Sequence, residues 1–288
     1  MTRLTITHET RYSYERPVAF GPQRLLLRPR DSHAVRVVEA SLSVSPGGQT
    51  RWVFDAFGNC VCLFTPEGLS DHLTIVSRLV IDRYPAPLAD LQPDNPHTAM
   101  PIVYPVEDRV ALSPFITPAL EDPDGAVFRW AAGRLASNHE PALDFLLRLN
   151  RAIHDGFEYR PRDEEGVQAP AETLRLRSGT CRDFAWLMVE SLRWLGYAAL
   201  FVTGYVNSGG MRGAGATHAW CEVFLPGLGW TEFDPTNGIA ESADLIRVAV
   251  SRRPQEAAPV SGLIIGDPGR ARLVARVDVT PQVVPAAA

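Results

Sequence analysis

Residues 178–188, Ser-Gly-Thr-Cys-Arg-Asp-Phe-Ala-Trp-Leu-Met, constrain this chain more than any other stretch. Cys181, Phe184, Ala185, Met188, Leu192 and Leu195 recur at the three-and-four spacing of one helical face, and Gly196 is a natural C-terminal stop. Trp186, Leu187, Val189 and Trp194 make the other faces apolar too, which predicts a helix buried nearly all round. The small-residue turn delivers Cys181 to the start of that helix, where unpaired N–H groups and the positive end of the dipole favour a thiolate. A helix dipole contributes about 0.3–1 kcal/mol, and at most about 2. Bringing a thiol from a pKa of about 8.5 to about 5 takes roughly 5 kcal/mol. A reactive thiol here therefore needs a cationic partner, and an imidazolium is the usual one.

Downstream, His218-Ala219-Trp220-Cys221-Glu222-Val223-Phe224-Leu225 and Trp230-Thr231-Glu232-Phe233-Asp234 flank Pro226-Gly227-Leu228-Gly229 and read as a β-hairpin. Alternation puts His218, Trp220, Glu222 and Phe224 on one face, so Cys221 is not the thiol that works with His218. Pairing Leu225 with Trp230 would leave Asp234 on the wrong side for His218. An odd-length loop or bulge that pairs Phe224 with Trp230 is the expected register, and it sets Asp234 diagonal to His218.

Three ordered blocks resemble the bacterial transglutaminase-like cysteine protein family: Gly179-x-Cys181-x-Asp183-Phe184-Ala185, His218-Ala219-Trp220-x-Glu222, and Gly229-Trp230-x-x-Phe233-Asp234-Pro235-Thr236-Asn237. Tyr12-x-Tyr14, Leu25-x-Leu27-x-Pro29 and Asp55-x-Phe57-Gly58-Asn59 look like the N-terminal β domain that accompanies this core, so the resemblance covers most of residues 1–265. It implies a papain-like fold with Cys181 as nucleophile, His218 as base then acid, and Asp234 as orienter. Arg182, where family members often carry glutamine, departs from the pattern, as does Ser251-Arg252-Arg253-Pro254.

A length of 288 residues favours two domains. Hydrophobic residues at 45% and charged residues at 21% describe neither a disordered nor a membrane protein, and a net charge of −5 with dispersed basic residues argues against nucleic acid as a partner. All 28 basic residues are arginine. Without lysine, the chain offers no side-chain amine for cross-linking to itself. Cys60 and Cys62 share a strand face with no second close cysteine pair, so packing is the favoured reading over a metal or redox site. The N-terminus lacks a signal pattern and no apolar run nears membrane-spanning length, so the expected location is the cytoplasm, which suits an unpaired nucleophile.

Residues 1–85 read as a β-sandwich domain, with strand-like runs at 4–14, 24–28, 35–44, 51–54, 60–64 and 73–81. Nine prolines between 85 and 123 predict an extended connector over residues 86–123 rather than a long helix. Residues 124–288 are expected to form the catalytic core, opening with helices near 124–136 and 141–154, the second with an inward stripe of Leu143, Leu146, Leu147, Asn150 and Ile153. A short helix over 170–176 precedes the Cys181 turn. Acyl transfer needs donors for an oxyanion. The Cys181 backbone N–H is one candidate, and Gln168 or Tyr159 the second. Asp183 reads as a first-turn acid that bonds exposed N–H groups rather than as a catalytic group. The glycine-rich residues 207–216 lack a phosphate-loop ending and are expected to form a mobile flap beside His218. Glu222 and Glu232 could pair across the hairpin on a metal, though an arginine-paired or solvated face is favoured. Strands at 245–250, 260–265 and 272–280 are expected to complete or cover the sheet of the core.

The reading is an α+β papain-like core behind an N-terminal β-sandwich, with no cofactor and no metal. It acts on a peptide or protein that offers an amide acyl donor, and transfers the acyl group to water or to an amine. The competing reading is a peptide-binding scaffold without turnover.

Overall fold

The computed structural model describes residues 1–84, 102–161, 166–207 and 210–282. The N-terminal part is one seven-stranded antiparallel sheet. Its spine is β1 (Thr2–Arg28), flanked by β2 (Val35–Ser45), β3 (Gly48–Phe54), β4 (Cys60–Pro66) and β5 (Leu69–Arg83) in the order β2-β5-β1-β4-β3. The register of β1 against β5 shifts between Ser13 and Val18, around Pro17, which has no N–H to give the ladder. Beyond that break β1 pairs with β4, and Val18, Phe20, Leu25, Leu27, Cys62 and Phe64 close over Leu73 and Ile75 as a two-layered core. Cys60 and Cys62 are free, and Cys62 is part of that core.

Among the described residues four α-helices precede the cysteine: α1 (Val106–Ile116), α2 (Ala126–Ala132), α3 (Ala142–Gly156) and α4 (Pro170–Leu176). The proline-rich connector is thus interrupted by a full helix. The interval between Pro105, at its N-cap, and Pro114, in its last turn, leaves room for it. The part of the expected connector at 85–101 lies outside the described residues. α3 buries Phe145, Leu146, Leu149, Asn150 and Ile153, whereas Leu147, expected on its inward stripe, is exposed. Phe145 and Leu149 enter the central helix cluster and Leu143 packs partly buried against it, whereas Leu147 takes no part in it.

That central helix, α5 (Cys181–Trp194), buries nearly every side chain it carries, as the sequence predicts. It packs against one face of a five-stranded antiparallel sheet, of order β11-β10-β9-β8-β12. The strands are β8 (Ala199–Val206), β9 (His218–Leu225), β10 (Gly229–Asp234), β11 (Ile239–Ala240) and β12 (Leu245–Ser251). Besides Asp183, α5 buries the charges of Glu190 and Arg193, and they are fully engaged. Arg193 donates to Glu190 at 2.9 Å and to the carbonyls of Phe115, Ala199 and Arg252, while Glu190 accepts the N–H groups of Ala119 and Leu120.

The sequence assigned the last two strands, β13 (Val260–Ile265) and β14 (Ala271–Gln282), to the core. Instead both pair with β1 and complete the N-terminal sheet. Their alternation identifies strands but carries no information about the partner, and the free edge of β1 accepts both. The two sheets meet where Leu4, Ile6, Leu79, Ile81 and Val277 pack on Tyr205, Ile246 and Val248. His8 lies in this contact, hydrogen-bonded to Tyr205 Oη and Thr10 Oγ1, each at 3.0 Å, and burial lowers its pKa to about 4, so it is neutral. Asn59 bridges the same two parts, giving its Nδ2 to the Val250 carbonyl at 2.7 Å and accepting the Val250 N–H at 2.9 Å. Asp55 holds that asparagine through its N–H and its amide, which accounts for the Asp-x-Phe-Gly-Asn pattern. No described helix is long and apolar enough to cross a membrane.

Candidate active site

The turn before α5 is held by Asp183, buried beneath it. Its carboxylate accepts the Thr180 N–H at 2.8 Å, the Thr180 hydroxyl at 2.9 Å and the Gln168 N–H at 2.7 Å. This is a capping box with an added arm to the preceding loop, and Asp183 is a structural acid as its position in the first turn predicts. Asp183 and Phe184 give their N–H groups to the Thr180 carbonyl. The Cys181 N–H, earlier in the turn, has no acceptor among the described residues, as expected of a first-turn donor.

The hairpin has the register the sequence requires. Phe224 pairs with Trp230 and Glu222 with Glu232, across the three-residue loop 226–228, after which Gly229 opens β10 at φ +81 opposite Leu225. Asp234 therefore lies diagonal to His218, on its face. His218 Nε2 and Asp234 Oδ2 are 2.8 Å apart, and both side chains are fully buried. The remaining capacity of Asp234 is filled from its own turn: Oδ1 accepts the Thr236 N–H at 2.9 Å, and Oδ2 accepts Asn237 Nδ2 at 2.7 Å. His154 supports the turn from α3 by bonding the Thr236 carbonyl at 2.8 Å.

Burial alone would lower the His218 pKa. The charge and hydrogen bond of Asp234, together with the hydrogen bonding and charge of Cys181, overcome it and push the imidazole up to about 10. Cys181 thus lies near enough to raise the His218 pKa, and His218 Nδ1 is buried with no conventional hydrogen-bond partner among the described residues. The three sequence-predicted residues Cys181, His218 and Asp234 come together at one place, from a helix start, a strand start and a strand end.

Tyr159 reaches the same place by a separate route. β6 (Glu158–Tyr159) pairs in parallel with β7 (Ser178–Gly179), which sets Tyr159 beside Gly179, two residues before the thiol. Burial and the charges of Cys181 and Asp234 hold its pKa at about 12 against the lowering effect of Arg182 and Arg212, so its hydroxyl is a donor at neutral pH. Gln168 is anchored at both ends. Its N–H goes to Asp183, its Oε1 accepts the Thr173 hydroxyl at 3.1 Å, and its amide NH2 has no acceptor among the described residues.

Two contacts at this site are not evident from residue spacing. Gly213, at φ +91, lies against His218 so closely that a Cβ there would strike Nδ1. Asn237 ties the same loop to the hairpin, accepting the Arg212 N–H at 2.9 Å and donating to the Arg212 carbonyl at 3.2 Å while it donates to Asp234. Residues 210–216 thus lie beside His218, where the flap is expected; residues 208 and 209 of that stretch lie outside the described residues. Residues 210–216 are also fastened to β14 by the Val277 N–H on the Gly215 carbonyl at 2.9 Å. Glu222 and Glu232 face each other across the hairpin but are arginine-paired, with Arg247 at 3.0 Å and Arg83 at 3.7 Å respectively. Among the described residues no group of three or more histidine, cysteine or carboxylate side chains could hold a metal.

This arrangement agrees with what the comparisons show. Residues 4–82 match the bacterial transglutaminase-like N-terminal region, and residues 129–235, which include all three residues of the Cys-His-Asp set, match the transglutaminase-like superfamily. The chain belongs to the transglutaminase-like superfamily and carries its bacterial N-terminal region. An uncharacterized protein of Mycobacterium tuberculosis is 30% identical over 97% of this chain and 93% of its own length. An uncharacterized protein of Mycobacterium leprae is 25% identical over 92% of this chain and 94% of its own. The crystal structure of a "Putative Cysteine Protease" from Cytophaga hutchinsonii shares the fold, with a TM-score of 0.73 and 19% identity over 98% of this chain and 91% of that one.

Proposed function

We propose that the protein is a cysteine-dependent acyl-transfer enzyme acting at amides of peptides or proteins. The observation that carries this reading is the buried His218–Asp234 pair, 2.8 Å apart, whose imidazole also interacts with the thiol at the start of α5. In the first half-reaction the Cys181 thiolate attacks the amide carbonyl carbon. A C–S bond forms and the π electrons move onto oxygen. The Cys181 N–H, with the Tyr159 hydroxyl or the Gln168 amide, stabilises that oxyanion. Collapse breaks the C–N bond, His218 gives its proton to the departing amine, and a thioester remains on Cys181. In the second half-reaction neutral His218 takes a proton from the acceptor as it attacks the thioester, and the thiolate departs. Water as acceptor makes the enzyme a peptidase or amidase, and a primary amine makes it a transglutaminase. Asp234 keeps the imidazole oriented throughout and stabilises its charged form when it holds the proton.

The test is the mass of the products formed from a glutamine-containing peptide with and without an added primary amine. A gain of the amine with loss of ammonia marks transfer. Exchange of ammonia for water, or backbone cleavage, marks hydrolysis. No product from any peptide of a diverse library, with Cys181 reduced and accessible to alkylation, would favour a peptide-binding scaffold.

A further inference from the structure

Two guanidinium groups stand at the reaction centre without a carboxylate partner. Arg182 follows Cys181 directly and is partly buried in the first turn of α5. A cation there opposes the positive end of the helix dipole, so helix stability does not account for it. Arg212 comes from the other side. Its backbone is fastened to Asn237, and the next residue, Gly213, lies against His218 Nδ1. The positive charges of both arginines act on the Tyr159 hydroxyl, as does the negative charge of Cys181. Both side chains are therefore neighbours of the thiol, one from the nucleophile helix and one from the loop beside the imidazole.

Neither is engaged in the way of other arginines in this chain. Arg182 makes no hydrogen bond or ion pair among the described residues. The exposed Arg212 side chain has the Thr236 carbonyl at 3.5 Å, and His154 already bonds that carbonyl at 2.8 Å. The carboxylates around the thiol are committed. Asp183 and Asp234 are fully buried, the first under the α5 turn and the second on His218. Glu158 and Glu172, on the flanking segments, pair with Arg160 and Arg175. The negative charges of the site are thus buried or paired, whereas its two unpaired cations are within reach of a ligand. The chain as a whole carries −5, so this accessible positive charge is local.

We propose that Arg182 and Arg212 select acyl donors that carry a carboxylate close to the scissile amide, the guanidinium groups donating to it as the carbonyl reaches Cys181. This rests on the acyl-transfer reading of the site. A guanidinium presents five N–H donors in a planar fork that matches a carboxylate. An extended substrate advances about 3.3–3.6 Å per residue, so side chains flanking the nucleophile meet only the near neighbours of the scissile amide.

The experiment compares alkylation of Cys181 in the full-length protein by iodoacetate and by iodoacetamide, located by peptide mapping. In both reactions the thiolate displaces iodide and a C–S bond forms, so any effect of Arg182 on the thiolate itself is common to both. The ratio of the two rates reads the attraction of the site for a carboxylate. Arg182→Gln and Arg212→Gln should each lower that ratio roughly twofold to fivefold, as for loss of an accessible ion pair, and added salt should lower it in the parent. Arg51→Gln, at an exposed position of the edge strand β3, leaves it unchanged. A ratio equal in the parent and both site variants overturns the proposal, as does an equal fall with Arg51→Gln. A slow iodoacetamide rate with an ordinary thiol profile counts against the acyl-transfer reading instead, and the ratio still reports on the arginines. Calorimetric binding of N-acetylated glutamine peptides to Cys181→Ala identifies the source of the carboxylate. One peptide is C-amidated with glutamate beside the glutamine, one is C-amidated with asparagine there, and one is neutral in its side chains with a free C-terminal carboxylate. Tightest binding of the first assigns an acidic side chain, and tightest binding of the third a chain end. The asparagine peptide binding as tightly as the other two overturns the proposal.

Discussion

Asn237 Nδ2 lies 2.7 Å from Asp234 Oδ2, the same oxygen that faces His218 Nε2 at 2.8 Å. One amide thus shares an acceptor with the imidazole, while its other contacts hold Arg212 in the covering loop. Asn237→Ala removes the donor to a charged group, worth about 1.5–3 kcal/mol, and should reduce turnover roughly ten- to a hundredfold. The rate of peptide turnover checks this. Limited proteolysis after residue 212 should accelerate in the same variant, because the loop loses its fastening.

Asp234→Asn should move the pH dependence downward. Asp234 is the main influence that raises the His218 pKa, and burial, which opposes it, remains after substitution. The imidazole should then lose its proton below its ordinary range, near or under about 6.5, rather than near 10. NMR titration of the His218 ring in the two proteins reads this directly.

The same shift has a consequence for stability. The His218 pKa is raised on folding, so its contribution is fully present below the unfolded value of about 6.5 and is lost as pH rises through about 10. Urea denaturation between these limits should show the parent losing stability with pH relative to Asp234→Asn.

Gly213→Ala should damage the site without replacing Cys181, His218 or Asp234. Its backbone at φ +91 is unfavourable for alanine, and the new Cβ would meet the His218 ring. A cost of about 1–3 kcal/mol is expected from the backbone alone. Denaturation measures that cost, and turnover should fall by more than the loss of folded protein explains.

Arg193→Met should destabilise the core by about 3–5 kcal/mol, because it leaves Glu190 buried without its cation. Adding Glu190→Gln should restore part of the loss. Equal stability of the single and double variants in chemical denaturation would contradict this.

Much of the site was legible because its geometry follows from short-range rules. The cysteine at a helix start, the alternation of β9 and the glycine-containing loop of the hairpin together imply the Phe224–Trp230 register, and so the face of Asp234. α4 is equally local, running from Pro170 to Leu176 as its N-terminal proline suggests. What was hidden depends on partners far apart in the chain. Strand patterning could not reveal that β13 and β14 join β1. Apolar spacing on α5 said nothing of Glu190 and Arg193, whose burial depends on carbonyls and N–H groups from residues 115–120, 199 and 252.

The most direct test is the rate of iodoacetamide alkylation at Cys181 as a function of pH, located by peptide mapping, in the parent and in His218→Ala. A thiolate paired with the His218 imidazolium predicts a reactive plateau that extends well below about pH 7 and disappears in the variant. A single rise near the ordinary thiol value of about 8.5, unchanged by the substitution, would contradict the pair and the acyl-transfer chemistry built on it.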